Sequence, residues 1–130
     1  KSEKITISDI FKKKGEKYFR EIEKDISINY LNLENKIISL GGGGYLNPLI
    51  RKQCSKNCFT FWLNWKSEVL IKRIHNSKKR PIVMKLNPLE IKKIIVERSK
   101  IYNLSNYKII CDKLNKAQIV NKIIKIYESQ

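Results

Sequence analysis

The chain has 130 residues, of which 42% are hydrophobic, enough for one domain with a core and too few for two ordinary domains. No apolar run approaches the roughly 20 residues of a membrane helix, and neither the spacing of Cys54, Cys58 and Cys111 nor the single His75 supplies a four-ligand zinc set. The net charge of +16 comes from lysines spread along the whole chain rather than from a basic stripe. We therefore expect a cytoplasmic protein with reduced structural thiols and with neither nucleic acid nor membrane as partner.

The first predicted elements are two helices. Ser8 is predicted to cap a short helix that runs through Lys14 and ends at Gly15. A longer helix is predicted from Glu16, because apolar residues recur there at helical spacing and form one buried stripe. The stripe consists of Phe19, Ile22, Ile26 and Tyr30.

A glycine run follows. Residues 36–40 form a short β-type segment, residues 41–44 are all glycine, and Asn47-Pro48 is a capping signal for the next helix. Open α/β sheets bind ligands at the carboxyl ends of their strands, so we predict that this loop contacts a ligand rather than serving as a flexible linker. It is not a Walker A loop, because the chain nowhere supplies the required Gly-Lys-Ser/Thr ending.

The rest of the chain alternates strands and helices, which predicts an α/β domain with a parallel sheet. One polar, basic segment interrupts this order. The predicted elements are a strand over 59–63, a helix over 67–74, the polar segment 75–80, a helix over 87–101, a strand over 107–111 and a helix from 115.

Arginine is scarce in this lysine-rich chain. Only five of the 28 basic residues are arginine, which suggests positions where a planar fork of donors is needed and lysine would not serve. Such forks grip carboxylates and phosphates, so an anionic ligand is predicted. The five are Arg20, Arg51, Arg73, Arg80 and Arg98.

Two of these arginines have a suggestive local setting. Glu23 follows Arg20 by three residues on the same helix face and can hold its guanidinium in one orientation, although a solvated ion pair would show the same spacing. Arg80 ends the basic segment, which is either solvated surface or a mobile lid that brings a cation over a transferring phosphoryl group.

Taken in order, these pieces resemble the shikimate kinase family over essentially the whole chain. The stretch from Ile7 to Glu23 is similar to the pattern I-x-x-I-F-x-x-x-G-E-x-x-F-R-x-x-E, and Ile38-Ser-Leu-Gly-Gly-Gly43 resembles the family's glycine-triplet loop. Each piece alone is weak, but the ordered set is specific. The remaining landmarks are Asn47, Arg51, Phe61-Trp-Leu63, Arg73, Arg80-Pro81, Glu97-Arg98 and Tyr102.

The resemblance implies a substrate site. Arg20 and Arg98 would clamp the shikimate carboxylate and a neighbouring hydroxyl, and Glu23 would orient Arg20. Backbone amides would reach the substrate's hydroxyls, and two aromatic rings would wall its ring. These groups would come from Gly41, Gly42, Gly43, Phe11 and Phe19.

The resemblance also implies a nucleotide side. Arg80 would be the lid arginine that reaches the ATP phosphates and stabilises transition-state charge, and Arg73 would pack on the adenine. The chain departs from the family near its C-terminus, where Leu114 and Lys116 stand in place of a basic residue and a proline beside the adenine. The family's phosphate-binding loop and the acidic residues that hold Mg²⁺ would precede Lys1.

The implied fold is a P-loop-kinase-like three-layer α/β/α parallel sheet that lacks the N-terminal strand and the Walker A loop. We expect one domain, with substrate-binding helices over 1–35, a core over 36–75 and 86–130, and a lid over 76–85. The missing strand would lie centrally and leave apolar edges exposed, so we expect these 130 residues to be an incomplete portion that folds poorly and is not a competent kinase alone.

The function implied is ATP-dependent phosphorylation of the 3-hydroxyl of shikimate to shikimate 3-phosphate, by a monomer of aromatic amino-acid biosynthesis. Three alternatives stay open. One is an inactive family member that only binds shikimate, and another is a kinase of a different small sugar acid such as gluconate. A small nucleic-acid-binding domain is supported only by net charge, and its binding would be steeply salt-dependent.

Overall fold

The structure is a computed structural model that describes residues 6–76 and 86–130. Within these ranges it has two parallel strands with helices before, between and after them. The elements in chain order are α1 (Ile7–Leu31), a 3-10 helix (Gly44–Leu46), α2 (Pro48–Asn57), β1 (Phe61–Asn64), α3 (Ser67–His75), α4 (Pro88–Tyr102), β2 (Tyr107–Ile110) and α5 (Lys116–Glu128).

The N-terminal helix α1 is broken at Gly15. This residue has φ 85° and ψ 172°, outside the helical region, so the predicted division into two helices at Gly15 is confirmed. The predicted cap at Ser8 is wrong. The helix begins at Ile7, and its cap is Thr6. The Thr6 hydroxyl accepts a hydrogen bond from the Asp9 amide at 3.1 Å.

Asparagine caps begin three of the later helices. The Asn47 side chain accepts from the Leu49 amide at 2.8 Å, and Pro48 occupies the first helical position, as predicted. Asn87 and Asn115 each form a capping box, in which the side chain three residues later also accepts from the cap's own amide. These local signals place the helix starts correctly.

The predicted strand over residues 36–40 is wrong. The segment has no strand assignment, and the Ile37 side chain is fully exposed. A strand needs a neighbour to pair with its amides and carbonyls, and the described part of the chain places none beside this segment. It is therefore an extended connection whose apolar pattern does not produce a ladder.

The two described strands form a parallel pair. Phe61 lies opposite Tyr107, and the register continues to Asn64 opposite Ile110. Successive side chains alternate between the faces, so Phe61 packs toward α5 whereas Trp62 contacts Tyr102 of α4, with ring centroids 6.0 Å apart. Helices on both faces of a parallel sheet give the predicted α/β/α arrangement.

The buried side chains form two clusters. The first joins α1 to α2 through Leu31, Ile50 and Cys54, and the second joins the strand pair to α5 through Ile109 and Ile119. The first cluster lies beneath the glycine loop, because Leu40 and Tyr45 on either side of that loop pack against it. Among the described residues, no helix is both long and apolar enough to cross a membrane.

Candidate functional site

The glycine loop, residues 41–44, is packed against charged side chains of α1 and α4. A methyl group added at Gly43 would overlap the Arg20 guanidinium, and one at Gly42 would lie 2.8 Å from Nη1 of Arg98. Real Cβ atoms essentially never come so close to another heavy atom. The absence of side chains at these positions is therefore what allows two guanidinium groups to reach the loop backbone.

Arg20 is held by a carboxylate. Its Nη1 donates to Oε1 of Glu23 at 2.8 Å, and its Nε lies 3.5 Å from the more exposed carboxylate of Glu16. The Glu23 side chain is only 16% exposed, so this is not the fully solvated ion pair that the spacing alone would allow. The geometry fixes the direction of the guanidinium at the loop.

Arg98 is arranged differently. It is half-buried on α4, and within residues 6–76 and 86–130 no carboxylate lies within 4.0 Å of its guanidinium. Its nearest neighbour at the loop is the backbone of Gly42. A partly desolvated cation without a carboxylate partner favours an anionic ligand.

The carbonyls around the glycine loop all accept hydrogen bonds. Those of Gly41, Gly43 and Gly44 accept from the amides of residues 44, 46 and 47, at 3.0 to 3.2 Å. The Arg51 Nη1 donates to the next two carbonyls, of Tyr45 at 2.9 Å and Leu46 at 2.8 Å. Arg51 therefore supports the loop's exit rather than facing a ligand with the others.

The remaining loop carbonyl, that of Gly42, accepts from the Tyr102 hydroxyl. Tyr102 lies one helical turn after Arg98 on α4, so both side chains reach the same glycine. The sequence marked Tyr102 only as a landmark and assigned it no role. Its spacing of four residues from a site arginine is the signal that could have identified it.

The two aromatic residues predicted to wall the substrate lie together. The ring centroids of Phe11 and Phe19 are 4.9 Å apart, across the break in α1 at Gly15. The Arg20 guanidinium also lies 5.2 Å from the centre of the Phe19 ring. An apolar surface thus adjoins the charged end of the loop.

Of the residues predicted for the nucleotide side, Arg73 has its described contact away from the glycine loop. Arg73 is exposed on α3, and its guanidinium lies 4.6 Å from the centre of the Trp65 ring. Arg80 lies outside the described residues. Within the part of the chain that the structure describes, no three acidic, histidine or cysteine side chains cluster to hold a metal ion.

The sequence matches known proteins over almost its whole length. Residues 1–128 match the sequence model of the family described as "Shikimate kinase". A shikimate kinase of Thermoanaerobacter pseudethanolicus is 36% identical over 124 residues, covering 95% of this chain and 72% of that protein. One of Bartonella henselae is 31% identical over 126 residues, covering 96% of this chain and 60% of that protein.

Solved structures agree in fold. The shikimate kinase of Bacteroides thetaiotaomicron superposes with a TM-score of 0.74 at 26% identity, over 95% of this chain and 73% of that one. The shikimate kinase of Acinetobacter baumannii, solved in complex with shikimate, gives a TM-score of 0.85 at 24% identity, over 95% and 70%. The chain spans 60% to 75% of the length of the curated relatives compared. By sequence and by fold, this chain belongs to the shikimate kinase family.

Proposed function

We propose that this chain forms the shikimate-binding side of a kinase that transfers a phosphoryl group from ATP to the 3-hydroxyl of shikimate. The observation that carries the proposal is the meeting of two guanidinium groups at one glycine loop, one of which has no carboxylate partner among residues 6–76 and 86–130. The relatives' names support the same activity, and the Acinetobacter baumannii kinase was solved with shikimate bound.

The proposed substrate roles follow from chemistry. Shikimate carries one carboxylate and three hydroxyls on a ring. Arg98, beside which the described residues place no carboxylate, would bind the substrate's carboxylate together with Arg20, and Glu23 would keep Arg20 in orientation. The hydroxyls would accept from backbone amides of Gly41, Gly42 and Gly43, and the rings of Phe11 and Phe19 would cover the substrate's apolar face.

The nucleotide roles are proposed on the family's use of ATP as phosphoryl donor. Arg73, already stacked on Trp65, would offer its free face to the adenine, and Arg80 would bring a cation to the phosphates during transfer. Mg²⁺ would supply charge neutralisation at the phosphates, and the described residues contain no cluster of three ligand side chains for it. No step of our proposal depends on it.

We further propose the organisation that these roles need. Residues 1–35 would serve substrate binding, 36–75 and 86–130 the core, and 76–85 a lid, all in one monomeric domain acting in the cytoplasm. The product would be shikimate 3-phosphate, an intermediate for aromatic amino acids. Neither nucleic acid nor membrane is proposed as a partner, since the lysines follow no single face.

The test combines calorimetry with an assay of ADP formation, both on the full chain. We expect shikimate to bind, and Arg98→Gln to weaken binding roughly 10- to 100-fold, because a charge-assisted pair contributes about 1.5 to 3 kcal/mol. Lys92→Gln removes the same charge from an exposed position of α4 and should leave the affinity unchanged.

Each other outcome has a distinct meaning. If gluconate binds more tightly than shikimate, the proposed substrate is wrong. If shikimate binds but no ADP forms with Mg²⁺ and ATP, shikimate binding by these residues is supported and phosphoryl transfer by these residues alone is not. An equal loss of affinity in the Arg98 and Lys92 variants would mean that net charge, not the site, attracts the ligand.

A further inference from the structure

We propose that Tyr102 is a positioning residue that fixes the peptide between Gly42 and Gly43, so that its amide remains a donor to a substrate hydroxyl. This inference rests on the proposed function and adds a residue to which the sequence assigned no role. The group that carries it is the Tyr102 hydroxyl, which donates to the Gly42 carbonyl from a different element of the fold.

The direction of the amide follows from peptide geometry. A trans peptide is planar, and its C=O and N–H point to opposite sides. The Gly42 carbonyl and the Gly43 amide belong to one such plane. Because the carbonyl is bound to Tyr102, the Gly43 amide points away from that hydroxyl. Gly43 is buried, and within the described residues its amide has no hydrogen-bond acceptor, so the proposal supplies one from the substrate.

This peptide needs an external anchor. Glycine adopts positive and negative φ at similar cost, so a peptide between two glycines can turn over more readily than any other. The neighbouring carbonyls of Gly41 and Gly43 are bound by amides of the same loop, at 3.0 and 3.2 Å. Of the carbonyls in residues 41–44, that of Gly42 is the one whose described donor belongs to another helix.

The anchor itself is well supported. The Tyr102 ring lies 6.0 Å from that of Trp62 on β1, which limits its movement. Arg98 lies on the same helix, four residues earlier, and also contacts the loop at Gly42. Helix α4 therefore carries both Arg98, which would bind the substrate's carboxylate, and Tyr102, which would orient the Gly43 amide toward a substrate hydroxyl.

A positioning role predicts selective loss. Tyr102→Phe keeps the ring but removes the hydrogen bond, which contributes about 0.5 to 1.5 kcal/mol. We expect shikimate affinity to fall roughly 3- to 10-fold. Affinity for benzoate, a ring carboxylate without hydroxyls, should change less than about twofold, because Arg20 and Arg98 are retained. A merely structural role would weaken both ligands equally.

The peptide can also be observed without any ligand. In glycine labelled with ¹³C at the carbonyl and ¹⁵N at the amide, a carbonyl-to-amide correlation arises only where glycine follows glycine. In this sequence those amides are Gly42, Gly43 and Gly44. The correlation between the Gly42 carbonyl and the Gly43 amide reports directly on the proposed anchor. We expect Tyr102→Phe to shift or broaden it more than the other two.

Tyr127→Phe is the matched control. It removes a hydroxyl from α5 while keeping a ring that packs edge-on against Phe59. We expect it to change neither the correlation nor the affinity. An unmoved correlation in Tyr102→Phe, or equal losses for shikimate and benzoate, would overturn the inference. A wild-type chain that fails to bind shikimate would instead overturn the proposed function, since the unliganded spectra still decide whether Tyr102 holds the peptide.

Discussion

Arginine is used in two ways in two regions of this fold. In the glycine-loop region, formed by α1, residues 36–57 and α4, Arg20 and Arg98 rest against backbone that carries no side chain. In the strand-pair region, formed by β1, β2, α3 and α5, Arg73 lies over the face of Trp65 and is exposed. At the glycine loop, the absence of side chains lets two guanidinium groups approach the same backbone. In the strand-pair region, an aromatic ring packs against a single guanidinium group.

This difference indicates in which region substitutions should be tolerated. Two guanidinium groups near one loop repel each other, and among the described residues that charge is offset by half-buried Glu23 and, at longer distance, by the more exposed Glu16. Such an arrangement is favourable when an anion occupies it. The cation on Trp65 needs no ligand to be stable, because the ring contact is favourable in itself. We therefore expect shikimate binding to depend on the first region and to be indifferent to the second.

The largest effect is expected for Gly43→Ala. The added methyl would overlap the Arg20 guanidinium, so the side chain must leave its contact with Glu23. We expect shikimate affinity to fall on the order of 100-fold, from overpacking together with a lost charge-assisted bond. Calorimetric titration measures this loss.

Gly44→Ala is its control. A methyl there would lie 3.6 Å from the Leu40 Cβ, an ordinary contact, and should leave affinity nearly unchanged. Equal losses at both positions would show that the loop's flexibility matters rather than its fit against Arg20.

A smaller effect is expected when arginine is replaced by lysine in both regions. Arg20→Lys keeps the charge but loses the planar fork, and we expect about a 10-fold loss of shikimate affinity. Arg73→Lys makes the same change beside Trp65 and should alter shikimate affinity less than about twofold. A comparable loss in the two variants would contradict the expectation that shikimate binds to the glycine-loop region and not to the strand-pair region.

The smallest effect concerns the cores of the two regions. Burial raises the pKa of the Cys54 thiol from 9.0 to about 11, with the neighbouring Cys58 a further cause. Below pH 9 the thiol is protonated in both folded and unfolded states and has no effect. As the pH rises toward 11 the unfolded state loses its proton first, so stability falls.

We expect Cys54 to account for about 1 kcal/mol of the stability lost between pH 8 and pH 10. Urea unfolding at the two pH values measures that loss, which should be smaller in Cys54→Ala than in the wild-type chain. Cys111, whose pKa burial also raises, gives the comparison from the strand-pair core. An unchanged pH dependence in Cys54→Ala would show that this thiol ionises freely in the folded state.

Local signals predicted much of the fold because they are satisfied within one turn of chain. The Asn47, Asn87 and Asn115 starts each depend on a side chain reaching an amide two or three residues away. Thr6 was missed because Ser8 offers the same hydroxyl two residues later, and the sequence alone does not say which one accepts from an amide. The strand over 36–40 was predicted wrongly because a strand depends on a distant partner.

The charged members of the candidate site and its glycine loop carry signals in the sequence. The scarcity of arginine drew attention to Arg20 and Arg98, and their meeting at Gly42 and Gly43 agrees with the anionic ligand inferred from them. Tyr102 could not be assigned from the sequence, because its partner is a backbone carbonyl 60 residues away. Backbone acceptors are the same in every residue, so no side-chain pattern marks the one that a distant hydroxyl will bind.

The break in α1 limits which residues can occupy position 15. A methyl at Gly15 would meet nothing within 4 Å, yet its φ of 85° is one that L-amino acids rarely adopt. The backbone conformation therefore restricts residue choice at Gly15, whereas the space occupied by the Arg20 guanidinium restricts it at Gly43. With ψ at 172° the residue lies in a region that essentially only glycine occupies, so every L-residue at 15, asparagine included, should carry a backbone cost of about 1 to 3 kcal/mol.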